Sequence, residues 1–124
     1  VKPRGCRGET AEDLRDPHRV KAVWTQSTGE CHYFSRSPVP FFKQLETSET
    51  PWYWYLHIGV YSYRPQALLR FARLPQSPLE EAEGLEQLRA IEAGMRVGAV
   101  ATDIELLGVD VPSDIDKVKG VLGE

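Results

Sequence analysis

The sequence predicts a single α/β domain over residues 1–124, on three observations. Three β-rich runs, at 20–25, 31–36 and 54–64, occupy the first half. A stretch punctuated by Pro65, Ser77-Pro78, Gly84 and Gly94 then carries helical spacing, and a further β-rich run follows at 96–101. At 41% hydrophobic and 27% charged, the composition is ordinary for a soluble globular protein, and 124 residues suffice for one small core.

Charge and cysteine content narrow the class. A net charge of −3 without any block of Lys or Arg gives no electrostatic footprint for nucleic acid. Cys6 and Cys31 stand apart, with no CxxC and no His/Cys ligand spacing. That pattern points to a reduced, cytoplasmic setting rather than a disulfide framework. No apolar run nears membrane length and no charged-then-apolar leader is visible, so neither secretion nor membrane insertion gains support. The first residue is Val1 rather than Met, from which a fragment of a longer protein is expected.

Each element has its own signal. Residues 1–16 mix Gly, Pro and both charge signs without periodicity, which predicts a loop with one helical turn at 11–14. Val20-Lys21-Ala22-Val23-Trp24-Thr25 is a strand run closed by the turn-like Ser27-Thr28-Gly29-Glu30, and 31–36 is its hairpin partner. Pro38 and Pro40 each remove a backbone donor and stop the pairing, and 41–51 reads as a polar loop. Aromatic and aliphatic residues alternating through Gly59 predict one long strand over 54–64.

The helical half is better punctuated. Pro65 opens a short helix over 66–73, with Ala67, Leu68 and Phe71 at helical spacing. Ser77-Pro78-Leu79-Glu80 supplies an N-cap, a proline at the first helical position and a capping-box glutamate. Leu79, Ala82, Leu85, Leu88 and Ile91 step by three, which drifts around a straight helix at ~100° per residue. A break at Gly84 removes the conflict. It predicts two short helices, the second ending near Gly94 with Glu86 and Gln87 in its first turn. Strands at 96–101 and 105–109 and a final helix capped by Ser113 complete the order.

Several residues can carry chemistry, each with a plainer reading beside it. Arg36 stands at a strand end, where a guanidinium can clamp a carboxylate or phosphate through paired bonds; spacing alone describes a surface Arg as well. His57 lies within an aromatic run, where a buried, hydrogen-bonded imidazole is commoner than a catalytic one. Tyr61 and Tyr63 follow it at even offsets and share its sheet face, and rim packing accounts for Tyr63. Glu86 and Gln87 at a helix start can bond sugar hydroxyls, although a glutamate is favoured at the positive helix end in any case. Asp110 ends a strand before Pro112, where it can hold Mg²⁺ or cap the turn. No phosphate-cradling glycine motif, metal-binding His/Cys cluster or Ser/His/Asp order is present.

The ordered set of these segments is more specific than any one of them. It comprises Asp16-Pro17-His18-Arg19-Val20-Lys21, Tyr33-Phe34-Ser35-Arg36-Ser37-Pro38-Val39-Pro40 and His57-Ile58-Gly59-Val60-Tyr61-Ser62-Tyr63-Arg64. Ser77-Pro78-Leu79-Glu80, Gly84-Leu85-Glu86-Gln87-Leu88-Arg89 and Gly108-Val109-Asp110-Val111-Pro112 follow. In that order they resemble the second half of the 3-deoxy-manno-octulosonate cytidylyltransferases, the CMP-Kdo synthetase family, over about 12–118. The resemblance implies the C-terminal part of a nucleotide-diphospho-sugar-transferase-like mixed sheet sandwiched by helices. It also implies sugar contacts from Arg36, His57, Tyr61, Glu86 and Gln87, and a Mg²⁺ ligand in Asp110. The implied reaction is attack of the Kdo anomeric hydroxyl on the α-phosphate of CTP, releasing pyrophosphate, for lipopolysaccharide synthesis. A homodimer is implied too, with the hairpin and the aromatic strand as its surfaces.

Departures from the family pattern qualify that expectation. The basic Arg…Ser…Arg…Lys loop that cradles the CTP phosphates and the other metal aspartate are not among these residues. Leu56 stands where the family has Lys or Arg, Val111 and Ser113 replace Thr and Glu, and 41–51 lacks the usual Asp/Arg-rich wording. The chain alone is therefore expected to be inactive. Two other readings stay open: a non-catalytic sugar-binding or dimerisation module, and a cytidylyltransferase for another 2-keto sugar acid.

Overall fold

The computed structural model describes residues 1–5, 11–43, 53–103 and 119. In chain order its elements are strand β1 (Lys2–Gly5), helix α1 (Ala11–Arg15) and strands β2 (Lys21–Thr25), β3 (Glu30–Ser35) and β4 (Tyr53–Leu56). Helices α2 (Pro65–Phe71), α3 (Pro78–Glu83) and α4 (Leu88–Glu92) and strand β5 (Val97–Gly98) follow. The five strands form one sheet in the order β1-β4-β2-β3-β5. The sequence leads to a mixed sheet; every pairing among the described residues is antiparallel.

The β2–β3 hairpin is the centre of this sheet. Its turn is closed by the Gly29 N–H donating to the Thr25 carbonyl at 2.8 Å, with Gly29 at φ 70°, a conformation that glycine adopts without steric cost. The pairing is regular from Lys21↔Ser35 to Val23↔Tyr33 and then slips, so that Trp24 faces Cys31. This bulge has a packing consequence. Cys31 and Phe34 lie an odd number of residues apart, yet both are buried in the same core while His32 between them is exposed.

Three strand expectations change. Residues 1–16, expected as a loop, contribute β1, which pairs with β4 from Lys2↔Leu56 to Gly5↔Tyr53. The gain is backbone satisfaction: β4 would otherwise present an open row of N–H and C=O groups on that side. The long strand expected over 54–64 stops at Leu56. Its last rung is the His57 N–H donating to the Val20 carbonyl at 2.9 Å, beyond which β2 offers no further partner. The chain then folds on itself, the Val60 N–H reaching the Ile58 carbonyl at 2.8 Å. β5 is also shorter than its 96–101 expectation, because β3 meets it only at Glu30 and Cys31.

The helical layer follows its punctuation closely. Pro65 begins α2 and Pro78 begins α3, positions where a missing N–H is harmless. The capping-box glutamate is in place: Glu80 Oε2 accepts the Ser77 N–H at 3.2 Å, while Ser77 Oγ is buried with no bond of its own among the described residues. Glu92 adds a second cap, accepting the Leu79 N–H at 3.0 Å. Gly84, at φ 63°, ends α3 in the left-handed region. Glu86 and Gln87 form the tight turn into α4, with Arg89 N–H to Glu86 and Ala90 N–H to Gln87 at 3.1 and 3.2 Å. Arg89 clamps α4 back onto α3 by a forked pair to the Glu80 carboxylate, Nε to Oε2 at 2.7 Å.

The core lies between this layer and the hairpin. Ala22, Cys31 and Phe34 from the sheet meet Leu85 and Leu88, with Val20, Trp24, Tyr55, Ile91 and Val97 around them. Trp54 and Leu14 are buried as well. The strand and capped helix expected at 105–113 lie outside the described residues, as does most of the loop at 41–51.

Gly84→Ala tests the helix break. A Cβ there would meet nothing closer than Arg36 Nη2 at 3.9 Å, so the penalty is conformational. Urea melting should show a loss of about 1 kcal/mol; an unchanged midpoint would mean that α3 does not need its left-handed stop.

Candidate functional site

The end of β3 and the end of α3 are tied by a polar junction. Glu83 Oε1 accepts from Ser35 Oγ at 2.6 Å and from the Tyr33 hydroxyl at 3.4 Å, and Oε2 accepts the Arg36 backbone N–H at 2.9 Å. Burial would raise the Glu83 pKa, but these bonds outweigh it and hold the carboxyl below its usual range. The Arg36 guanidinium turns to main-chain carbonyls: Nε to Glu83 at 2.8 Å, Nη1 to Pro17 at 3.0 Å and Nη2 to Gly84 at 3.5 Å. Among the described residues three of its five N–H donors are thus engaged. Beneath it, Lys21 is fully buried and donates Nζ to the carbonyls of Asp16 at 2.9 Å and Arg36 at 2.6 Å.

A row of rings leads away from the sheet. Phe34 meets His57 edge-on at 5.1 Å, His57 lies 5.6 Å from Tyr61, Tyr61 is 6.2 Å from Tyr63, and Tyr63 is 5.8 Å from Phe71. The Arg89 guanidinium caps the row, 5.2 Å above the Phe71 ring. Within the row, His57 Nε2 and the Tyr61 hydroxyl are 2.5 Å apart. Burial, with a smaller push from the Val1 ammonium, lowers the His57 pKa to about 4, so the imidazole is neutral at pH 7. Burial first, then the neighbouring Tyr63 and Glu86, pushes Tyr61 well above the ordinary tyrosine range. The phenol therefore keeps its proton, and as the stronger acid it donates to the neutral ring nitrogen.

Glu86 borders the same row, and Gln87 follows it in the chain. Glu86 is exposed, and its charge raises the pKa of both Tyr61 and Tyr63. Gln87 is only 5% exposed, and its Nε2 has no hydrogen-bond partner among the described residues. A buried amide N–H₂ without an acceptor is costly unless something else accepts from it. The structure thus brings His57, Tyr61 and Glu86 into one neighbourhood, with Gln87 adjoining in the chain. Arg36 reaches Gly84, two residues before Glu86. Asp110 lies outside the described residues. Among the described residues no three His, Cys, Asp or Glu side chains gather as a metal site would need.

Sequence reasoning missed Lys21 and Glu83, the two ions of the junction. Lys21 sits inside a β-rich run, where its burial opposite Ser35 has no periodic signal. Glu83 immediately precedes the predicted break at Gly84, and that position was its only clue.

The neutral imidazole sets a pH window. Between pH 6.5 and about 4 the unfolded chain takes up a proton that folded His57 excludes. Stability then rises with pH, and falls as pH is lowered through that window. His57→Asn should flatten this part of the profile of melting temperature against pH. Glu80 and Glu83, held below their ordinary 4.5, begin to add their own losses as pH falls toward 4.5, at the foot of this window, and go on adding below it. Equal slopes for wild type and variant would contradict a buried neutral imidazole.

Comparisons with known proteins place this geometry in a family. The family model described as cytidylyltransferase matches residues 7–97, well over half of the chain. The 3-deoxy-manno-octulosonate cytidylyltransferase of Solibacter usitatus is 44% identical over 110 residues, 89% of this chain and 42% of that protein. Those of Geobacter sulfurreducens and Wolinella succinogenes are 44% and 38% identical, each over 46% of its own length. A solved structure of CMP:2-keto-3-deoxy-manno-octonic acid synthetase complexed with CTP superposes with a TM-score of 0.81 at 33% identity. It covers 93% of this chain and 46% of that one. The chain thus spans less than half the length of the curated relatives it matches. On the extent of the family match, the chain belongs to the cytidylyltransferase family.

Proposed function

We propose that this chain forms the sugar-acid side of a CTP-dependent cytidylyltransferase that converts Kdo to CMP-Kdo. The observation that carries the reading is the neutral, hydrogen-bonded His57–Tyr61 pair with Glu86 near it, followed in the chain by the Gln87 amide, which has no partner among the described residues. It occurs within a family whose matched relatives are named for Kdo. In the reaction the anomeric hydroxyl oxygen of Kdo forms a bond to the α-phosphorus of CTP. The bond from that phosphorus to the β-phosphate oxygen breaks, pyrophosphate leaves, and the hydroxyl proton is lost.

The residues of this chain bind and orient the sugar acid. Donors of the Arg36 guanidinium pair with the Kdo carboxylate, and Gln87 Nε2 donates to a sugar hydroxyl. Glu86 accepts from a second hydroxyl. His57 fixes the Tyr61 phenol, so that its oxygen has one lone-pair side turned to the ligand. Orientation of this kind is a large part of what a two-substrate transfer requires. For the metal, Asp110 is proposed to offer Mg²⁺ a carboxylate. The hard-oxygen preference of Mg²⁺ and the resemblance of 108–112 to the family motif support this. Kdo as substrate, a homodimer and a cytoplasmic site are parts of the same proposal; among the described residues no helix is long and apolar enough to cross a membrane.

The test uses a chimera that joins this chain to the preceding residues of the Geobacter sulfurreducens relative. With CTP, Kdo and Mg²⁺ the chimera should release pyrophosphate, while the 124-residue chain alone should not, since the phosphate-cradling loop is absent from its sequence. Turnover by the chain alone, or an inactive folded chimera, would sink the reading. In the chimera, Arg36→Lys should lower kcat/KM for Kdo by roughly tenfold or more with KM for CTP unchanged, because a point charge cannot reproduce a planar fork. Asp110→Asn should abolish turnover at any Mg²⁺ concentration and leave the melting temperature in place.

A further inference from the structure

Arg36 stands one residue past the end of β3, where Ser35 pairs with Lys21 and the ladder stops. Its own N–H and C=O therefore find no strand partner, and two ions take them instead. The Glu83 carboxylate accepts the N–H at 2.9 Å, and the Lys21 ammonium donates to the C=O at 2.6 Å. Both bonds are charge-assisted, which is the stronger class. The same two residues also hold the support on which the guanidinium rests. Nε donates to the Glu83 main-chain carbonyl at 2.8 Å, and Nη1 donates to that of Pro17 at 3.0 Å. The neighbouring Asp16 carbonyl accepts from Lys21 Nζ at 2.9 Å. Each ion thus grips both the root of the Arg36 side chain and the support of its tip. Ser35 Oγ, donating to Glu83 Oε1 at 2.6 Å, fixes the carboxylate in turn. Joining two layers would not require an ion from β2 and an ion from the end of α3 to meet at one arginine.

We propose that Lys21 and Glu83 are positioning residues for Kdo binding, holding the Arg36 guanidinium where it meets the ligand carboxylate and acting through Arg36. A long side chain loses rotamer freedom when it binds a ligand, and one already held at root and tip loses less. A planar fork also recognises a carboxylate only when its plane and direction are set, so the support has to be stiff. Buried charge-assisted bonds supply that stiffness, and Glu83 keeps its charge at pH 7 because its bonds hold the carboxyl below the usual range. The proposal rests on the reading above that Arg36 meets the sugar acid.

Kinetics in the chimera test it, together with NMR of the Arg36 Nε–H. Neither Glu83→Ala nor Lys21→Met removes an atom that the guanidinium is seen to bond, because its three described acceptors are main-chain carbonyls. Each should nevertheless raise KM for Kdo by roughly tenfold, as misplacement of a binding group does, with KM for CTP unchanged. In an Arg36→Ala background neither should add a further loss, since residues that act through one group are not additive. The Arg36 Nε–H resonance should shift in both variants and exchange faster with water. If Glu83→Ala or Lys21→Met does not fold, Ser35→Ala loosens the Glu83 carboxylate more gently and should move KM for Kdo and the resonance in the same directions. An unchanged Nε–H resonance, or losses that add to that of Arg36→Ala, would make the junction merely structural and overturn the proposal even if the chimera makes CMP-Kdo. A shifted resonance while Arg36→Ala leaves KM for Kdo unchanged would instead remove Arg36 from the sugar site, a failure of the functional reading and not of the clamp.

Discussion

The Glu83 carboxylate fixes how the two layers of this molecule sit on each other. A carboxylate in a partly buried position is unfavourable unless its oxygens are occupied, and here three donors from β3 and the residue after it do so. The traffic runs both ways, since the Arg36 side chain returns to the carbonyls of Glu83 and Gly84. Helix α3 therefore ends at a defined point beside β3. Because Gly84 then turns the chain, Leu85 enters the core, Glu86 stays exposed and Gln87 is buried behind it. Lys21 completes the junction by neutralising the region from below and holding the Asp16 and Arg36 carbonyls together. Truncating Glu83 would leave the Ser35 hydroxyl and the Arg36 backbone N–H without their acceptor, which is the costly case for a buried polar network.

The candidate site inherits its character from this arrangement. The rings of Phe34, His57, Tyr61, Tyr63 and Phe71 crowd around one another, and partial burial drives both titratable members of the central pair toward their neutral forms although Tyr61 keeps one side open to solvent. A neutral imidazole and a protonated phenol do not repel an anionic ligand, and the Arg36 guanidinium and the Gln87 amide, which lacks a partner among the described residues, are donors that favour one. Glu86 is the exception, an exposed carboxylate suited to accept from hydroxyl groups. These groups suit the proposed role of holding a polyhydroxylated acid.

Much of this was legible in the sequence because local chemistry decides it. Ser77-Pro78 with Glu80, and Gly84 within a run of apolar residues spaced by three, encode their own geometry, and the helices fall where those residues put them. The hairpin is equally local. Non-local pairing is where the reading failed. β1 exists because β4 needs a neighbour, and nothing in Lys2-Pro3-Arg4-Gly5 announces it. The strand expected through Arg64 stops at Leu56 because its partner β2 stops, a fact carried by Val20 rather than by the segment itself. The buried position of Lys21 was hidden for the same reason, since its acceptors are backbone carbonyls five and fifteen residues away.

The central claim is that this half of the fold holds the sugar acid and not the nucleotide. Side-chain amide NMR of Gln87 in the chimera addresses it directly, because that N–H₂ is the buried donor without a described partner. Titration with Kdo should shift the Gln87 Nε2 resonances in a saturable manner, and titration with CTP alone should leave them in place. Shifts driven by CTP, with none from Kdo, would contradict the account.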